Sequence, residues 1–277
     1  MLSLQNKHDR DSRIRFVESS HTYYVDGSSD GYISSTTLVH SLFEKFDADK
    51  IITKMRNSRN WRFSPYNGMS DSAIKKKWDI NRDYAASEGT KMHENIENYY
   101  NKQEYDDKTT EFGLFQQYLK DHENLIPFRS EWVIFDEFSK VSGSVDMLYR
   151  DPDDPSKLII ADWKRSKDIK MDNKWQKGIN EHVSHLDDCN FVHYSLQLSI
   201  YKYIIEKRYG MEVSKCFLVI LHPKQETYHK HEIMDLSKEV KNIMEDRLCI
   251  KGKKSVKRKN STSKDECSFK SSFLKFK

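Results

Sequence analysis

Residues 141–164 read VSGSVDMLYRDPDDPSKLIIADWK, and the alternation in this stretch decides the fold class. Val141, Val145, Met147 and Tyr149 recur at every second or fourth position, the period of a strand with one face on a core. Asp151 to Ser156 is turn chemistry, rich in Asp and Pro. The apolar start of Leu158 to Lys164 predicts a strand buried on both faces. Upstream, Trp132 and Ile134 carry the same period after Pro127, so an antiparallel pair precedes the third strand. Downstream, the polar stretch from Arg165 to Asn190 leads into FVHYSLQLSIYKYIIEKRYG, an amphipathic helix that Gly210 stops. KCFLVILH then predicts a buried strand, TYHKHEI its edge partner, and Leu236 to Leu248 a last helix. This order is that of an α/β protein with a central mixed β-sheet flanked by α-helices.

Towards the N-terminus, two short strands are expected around Arg15 and Tyr23, an N-terminal hairpin. Ser34 or Ser35 caps the next helix, and apolar residues from Leu38 to Met55 recur at helical spacing with an interruption near Asp47, predicting two short helices. Helices are also expected over Ser70 to Tyr84, from Gly89 through Tyr100, and over Thr110 to Glu123. Between them, NSRNWRFSPYNG (57–68) is a loop in which Arg59, Trp61 and Arg62 mix cations with rings. Such interleaving suits single-stranded nucleic acid, where phosphates meet cations and bases stack; it equally suits a loop pinned to the body by Trp61 and Phe63.

The densest chemistry lies in Gly143-Ser-Val-Asp146 and Asp162-Trp-Lys164. Residues two apart on a strand point the same way, so Asp162 and Lys164 share a face and Trp163 takes the other. If the strands are neighbours, Asp146 and Asp162 approach closely and repel unless a hard cation, Mg²⁺ or Mn²⁺, sits between them. Lys164 is then placed to orient water or to neutralise charge developing on a phosphate. His93 and Glu97 lie four apart on one helix, as do Gln197 and Tyr201 on another. Each pair also has a plain reading as helix surface or packing.

Composition narrows the classes. The 277 residues are 36% hydrophobic and 32% charged, with nine Gly and five Pro, which excludes collagen, low-complexity disorder and a small disulfide scaffold. The longest apolar run is too short for a bilayer, and MLSLQNKHDRDSR lacks the apolar stretch of a signal peptide. An intracellular protein, cytoplasmic or nuclear, is expected, with no membrane association and its scattered cysteines reduced. Net charge is +4 overall, but residues 251–277 carry +8 and the rest −4. That basic tail is expected to be disordered in isolation, and to contact phosphates, act as a nuclear localisation signal or serve as a passive terminus.

In order, Gly89-Thr-Lys-Met-His93, Gly143-Ser-Val-Asp146, Asp162-Trp-Lys164 and Gln197 to Tyr201 resemble the GTxxH, GxxD, DxK and QxxxY motifs of the RecB-like branch of the PD-(D/E)XK nuclease superfamily. The resemblance covers roughly residues 85–210. More loosely, YYVDG followed by ISSTTLV is similar to the leader of mitochondrial genome maintenance exonucleases and their viral and phage relatives. The resemblance implies a restriction-endonuclease-like core. A nuclease domain would span 1–250, with 1–84 the hairpin and helical extension and 85–250 the catalytic core, followed by the tail 251–277.

By position, the resemblance implies His93, Asp146, Asp162 and the main-chain carbonyl of Trp163 as metal ligands. Asp146, Asp162 and Lys164 would be catalytic, and Gln197 and Tyr201 would bind DNA or support the site. Glu97 would be a ligand, a partner of the metal shell or a helix residue. Iron–sulfur cysteines of some relatives have no counterpart in number or spacing, so no cluster is expected. The implied function is a Mg²⁺- or Mn²⁺-dependent deoxyribonuclease of replication, repair or recombination, an exonuclease preferring single-stranded or end-containing DNA, with RNA left open as a substrate. A structure-specific or restriction-type endonuclease and a noncatalytic nucleic-acid-binding module on the same fold remain alternatives.

Overall fold

The computed structural model describes residues 1–258. A short helix α1 (Leu2–Gln5) precedes the hairpin β1 (Ile14–Val17) and β2 (Thr22–Val25), then β3 (Ile33–Ser34), α2 (Ser35–His40) and α3 (Ala48–Arg56). The long helix α4 (Asp71–Tyr100) and α5 (Thr110–Asp121) lead into β4 (Ile126–Asp136), β5 (Val141–Arg150) and β6 (Leu158–Lys164). The chain closes with α6 (Asn190–Ile204), β7 (Val213–Ile220), β8 (His229–Glu232) and α7 (Ser237–Arg258). The helix starts reflect local chemistry: the side chains of Ser34, Asp47, Ser70 and Thr109 each accept an amide of the first turn they open. The predicted interruption near Asp47 is therefore a cap.

Six strands form one mixed sheet in the order β3-β5-β6-β7-β8, with β4 also paired to β5. On one face, α2, α6 and α7 bury residues such as Val39, Leu196, Ile200 and Val240 against Ile160 and Leu218. On the other, Met92 and Ile96 of α4 and Phe112, Phe115 and Tyr118 of α5 cover Met147, Ala161, Trp163 and Val219. β6 and β7 run parallel and need the α6 crossover between them. β7 and β8 are antiparallel, as the edge-partner reading requires.

The pairing of β5 creates an opening in the sheet. β4 lies along its whole length, from Asp136↔Val141 to Ile126↔Arg150. The other edge is shared, with β3 at Val141 and Ser142 and β6 from Met147 to Arg150. Gly143 to Asp146 thus occupy the gap between β3 and β6. Side-chain alternation is interrupted at the same level, because Val145 and Leu148, three apart, face one core while Met147 and Tyr149 face the other. On β4, Glu131 has φ of +43°, a conformation few non-glycine residues adopt. It lies between Ser130↔Met147 and Trp132↔Val145, hence opposite Asp146. Asp11 straps the kink from outside, accepting from Arg129 Nη1 and Trp132 Nε1 at 2.8 Å each.

Three elements differ from expectation. The two helices predicted over Ser70–Tyr84 and Gly89–Tyr100 are the single helix α4; Gly89 within it costs only about 1 kcal/mol relative to Ala, which packing outweighs. The helix ending at Gly210 changes from α to a π turn over Ile205–Tyr209 before Gly210 adopts φ of +66°. The last helix, expected over Leu236 to Leu248, runs from Ser237 to Arg258. The tail beyond Arg258, with its expected roles, lies outside the described residues, among which no helix is long and apolar enough to cross a membrane.

Gly143 is required by close approach: a Cβ there would lie 2.5 Å from Tyr201 Cε1 and 2.8 Å from Ser35 Oγ. At Gly89 a Cβ would meet nothing within 4 Å. Urea unfolding is therefore expected to show Gly143→Ala destabilised by about 1–3 kcal/mol and Gly89→Ala stabilised by up to ~1 kcal/mol.

Candidate active site

The site forms where β5 and β6 part. Their last paired residues are Met147 and Ala161; beyond them the Trp163 amide donates to Asp146 Oδ2 at 2.9 Å, replacing a main-chain partner with a carboxylate. From α4, His93 reaches into the fork. Its Nε2 lies 3.0 Å from the Trp163 carbonyl, and its Nδ1 lies 3.2 Å from Glu131 Oε1 and 3.6 Å from Asp146 Oδ2. Ser144 Oγ donates to the second oxygen of Glu131 at 3.0 Å. Asp162 and Lys164 share the opposite strand face as read from the sequence, and form a buried ion pair. The Lys164 ammonium also lies 5.0 Å from the centre of the Tyr194 ring.

Crowding of charge governs the protonation of this cluster. Burial, then the neighbouring Asp162 carboxylate, pushes Asp146 up to about 7. Burial alone would lower His93, but Asp146 and Glu131 outweigh it and raise the imidazole. For Lys164 burial is likewise outweighed, by Asp162 and Asp146, so the ammonium stays charged. The cluster therefore holds extra protons where a cation would neutralise it. His93, Glu131 and Asp146 offer ligand atoms that all lie within 4.8 Å of one another, one imidazole and two carboxylates. This donor set suits Mn²⁺ and, through its oxygens, Mg²⁺.

Of the residues singled out in the sequence, His93, Asp146 and the Trp163 carbonyl come together. Asp162 stands beside them with its carboxylate turned to Lys164. Glu97 lies one turn beyond His93 on α4, outside the three-residue group. Gln197 and Tyr201 are bonded to each other and to α2: Gln197 Nε2 donates to Tyr201 Oη at 2.9 Å and Thr36 Oγ1 at 3.1 Å, and Ser35 Oγ donates to Tyr201 Oη at 3.1 Å. The loop residues are separate. Arg59 and Arg62 are exposed, while the Trp61 ring carries the Arg56 guanidinium 4.9 Å from its centre.

Sequence reasoning misses Glu131 and Tyr23. Glu131 gains its place through a left-handed backbone inside a strand, for which the sequence carries no signal. Tyr23 is buried, receives a hydrogen bond from the Ser144 main chain, and is raised first by burial and then by Glu131 and Asp146. The hairpin thus closes the site, and the tyrosine pair of YYVDG is its only trace in the sequence.

The sequence profile of the PD-(D/E)XK nuclease superfamily matches residues 34–271. The chain belongs to this superfamily. It is accordingly a nuclease, a phosphodiester hydrolase with a nucleic acid substrate, in a superfamily that uses divalent metals. No curated protein matches the chain. Among solved structures, it is similar to a provisionally named exonuclease from Eubacterium rectale, at 12% identity over 86% of this chain and 91% of that one with a TM-score of 0.36. It is similar to the alkaline exonuclease LHK-Exo from Laribacter hongkongensis at 11% identity, over 82% and 95%, with a TM-score of 0.34.

The raised Asp146 and His93 give this PD-(D/E)XK fork a definite pH signature. Both bind protons more tightly folded than unfolded, so their stabilising contribution is fully present below the unfolded values and is lost as pH rises through the folded ones. In EDTA, the Tm is expected to fall between pH 5 and 8, and to fall less in Asp146→Asn, whose amide oxygen keeps the Trp163 bond. Added Mn²⁺ should raise the Tm at pH 8 in the wild type more than in Asp146→Asn.

Proposed function

We propose that the protein is a divalent-metal-dependent DNA exonuclease acting on single-stranded or end-containing DNA. The observation that carries metal-dependent hydrolysis is the convergence of His93, Glu131 and Asp146 beside the Lys164–Asp162 pair at one strand fork. A divalent ion held by the first three residues would lower the pKa of a bound water and polarise the phosphate. Glu131 is oriented by Ser144, and Asp146 by the Trp163 amide, so both carboxylates are fixed before substrate arrives. His93 would hold the ion through Nδ1 with that nitrogen deprotonated, its proton being released to solvent as the ion binds. Its Nε2–H remains bonded to the Trp163 carbonyl.

Lys164 acts as a permanent positive charge. Held as an ammonium by Asp162 and Asp146, it neutralises charge on the phosphate oxygens as the P–O bond breaks; an amine base at this position would require those carboxylates to be absent. Asp162 positions Lys164 and adds to the negative field of the site. Gln197 and Tyr201 fix α6 against Gly143 and α2. Arg59 and Arg62 on the exposed loop meet the phosphate backbone.

The choice of exonuclease rests on the leader. Its resemblance to mitochondrial genome maintenance exonucleases lies in YYVDG and ISSTTLV, and the same segments supply Tyr23, Ser35 and Thr36 to the site. Mg²⁺ is the proposed physiological ion, since two of the three ligands are carboxylates.

Cleavage of end-labelled linear single-stranded, linear duplex and closed-circular DNA tests this reading. Nucleotides or short oligomers should be released from linear DNA in Mg²⁺ or Mn²⁺, with EDTA abolishing release and circles spared. Lys164→Ala should lower kcat by at least ~10²-fold, the scale of losing one preorganised electrostatic stabiliser. Cutting of closed circles would replace the exonuclease reading with an endonuclease. DNA binding without cleavage of any substrate would favour a noncatalytic module.

A further inference from the structure

The polar stretch after Lys164 holds a feature that the hydrolytic site does not use. Trp175 is 88% exposed, although a tryptophan gains more than almost any residue by burial. It is held out by a built turn. The Asn173 side chain accepts the amides of Trp175 and Gln176 at 3.1 and 3.3 Å and donates to the Asp188 carbonyl at 2.7 Å, and Lys177 pairs with Asp187 at 2.7 Å.

Trp175 forms one wall of a cavity of about 480 Å³ whose lining includes Lys170, Asp172, Lys174, Asp188 and His193. That volume lies within the ~300–1,000 Å³ of small-molecule sites. The cavity lies at the start of α6, where Asn190 and His193 line it, and the same helix carries Tyr194, whose ring faces the Lys164 ammonium. Asp188 is engaged by His193 at 2.9 Å. Lys170 and Lys174 form no ion pair among the described residues.

We propose that this cavity receives an unstacked nucleobase of the substrate strand, which stacks on Trp175 while Lys170 and Lys174 meet the adjoining phosphates. The proposal rests on the nuclease reading and deepens it. A base is available to such a ring only in a single strand or a frayed end, so Trp175 would select those substrates. Stacking is tolerant of sequence because every base has a π face. Asp172 also lines the cavity and lowers its net positive charge.

The test measures binding of a fluorescent single-stranded oligonucleotide with Mg²⁺ in a Lys164→Ala background, across a salt series, beside cleavage of linear DNA by the wild type. Trp175→Ala should weaken binding about five- to hundredfold with an unchanged salt slope, and Trp175→Phe should retain most of the affinity. The double substitution Lys170→Ala, Lys174→Ala should flatten the slope by about 0.7 for each phosphate that is no longer neutralised. Unfolding temperatures should match, since the ring is exposed. Equal binding by Trp175→Ala and its background, with the wild type cleaving DNA, overturns the cavity proposal alone and leaves this surface to a protein partner. Neither binding nor cleavage by the wild type overturns the nuclease reading, and the cavity proposal falls with it.

Discussion

At the point where β5 and β6 separate, the Trp163 amide is bonded to the carboxylate of Asp146 at 2.9 Å, and the chemistry of the protein depends on that substitution. A sheet whose ladder ran on would pair Asp146 with Asp162 and leave no space between them. Here the ladder stops one residue earlier, a side chain takes over the amide, and four polar groups converge in the opening. The backbone cost is carried by neighbours. Glu131 with its positive φ is held between Arg129 and Trp132, which Asp11 ties down, and Gly143 makes way for Tyr201.

The fork also explains why the protein needs both faces of its sheet. Trp163 anchors the strand end in the aromatic layer of α4 and α5, meeting Phe115 and Tyr118 edge-on with 5.4 Å between ring centres. Its neighbours Asp162 and Lys164 are turned to α6. One strand therefore fixes the site by its apolar side chain and equips it by its polar ones. α4 delivers His93 from the first face, and α6 delivers Tyr194, Gln197 and Tyr201 from the second.

Much of this is legible in the sequence, for physical reasons that can be named. The apolar periodicity of β5 marks it as a strand, although its break between Val145 and Met147 is not visible there; the apolar run marks β6, and the fixed geometry of a strand puts Asp162 and Lys164 on one face. Four-residue spacing places Gln197 beside Tyr201. Glu131 is hidden because its role depends on one backbone dihedral within a strand, and Tyr23 because only tertiary packing brings the hairpin to Ser144. Gly89 suggests a helix boundary, yet local propensity is weaker than the packing of a 30-residue helix. The exposed ring of Trp175 is equally invisible, since exposure belongs to the fold.

The central claim is that the fork gathers His93, Glu131 and Asp146 around one divalent ion, with Glu131 an equal member. Mn²⁺ titration monitored by electron paramagnetic resonance, on the wild type, Glu131→Gln and Asp146→Asn, tests it without relying on turnover. The account predicts one tight site in the wild type and at least ~10-fold weaker binding in each variant, the scale expected when a group that orients or forms a metal site is removed. Wild-type affinity in Glu131→Gln would contradict it.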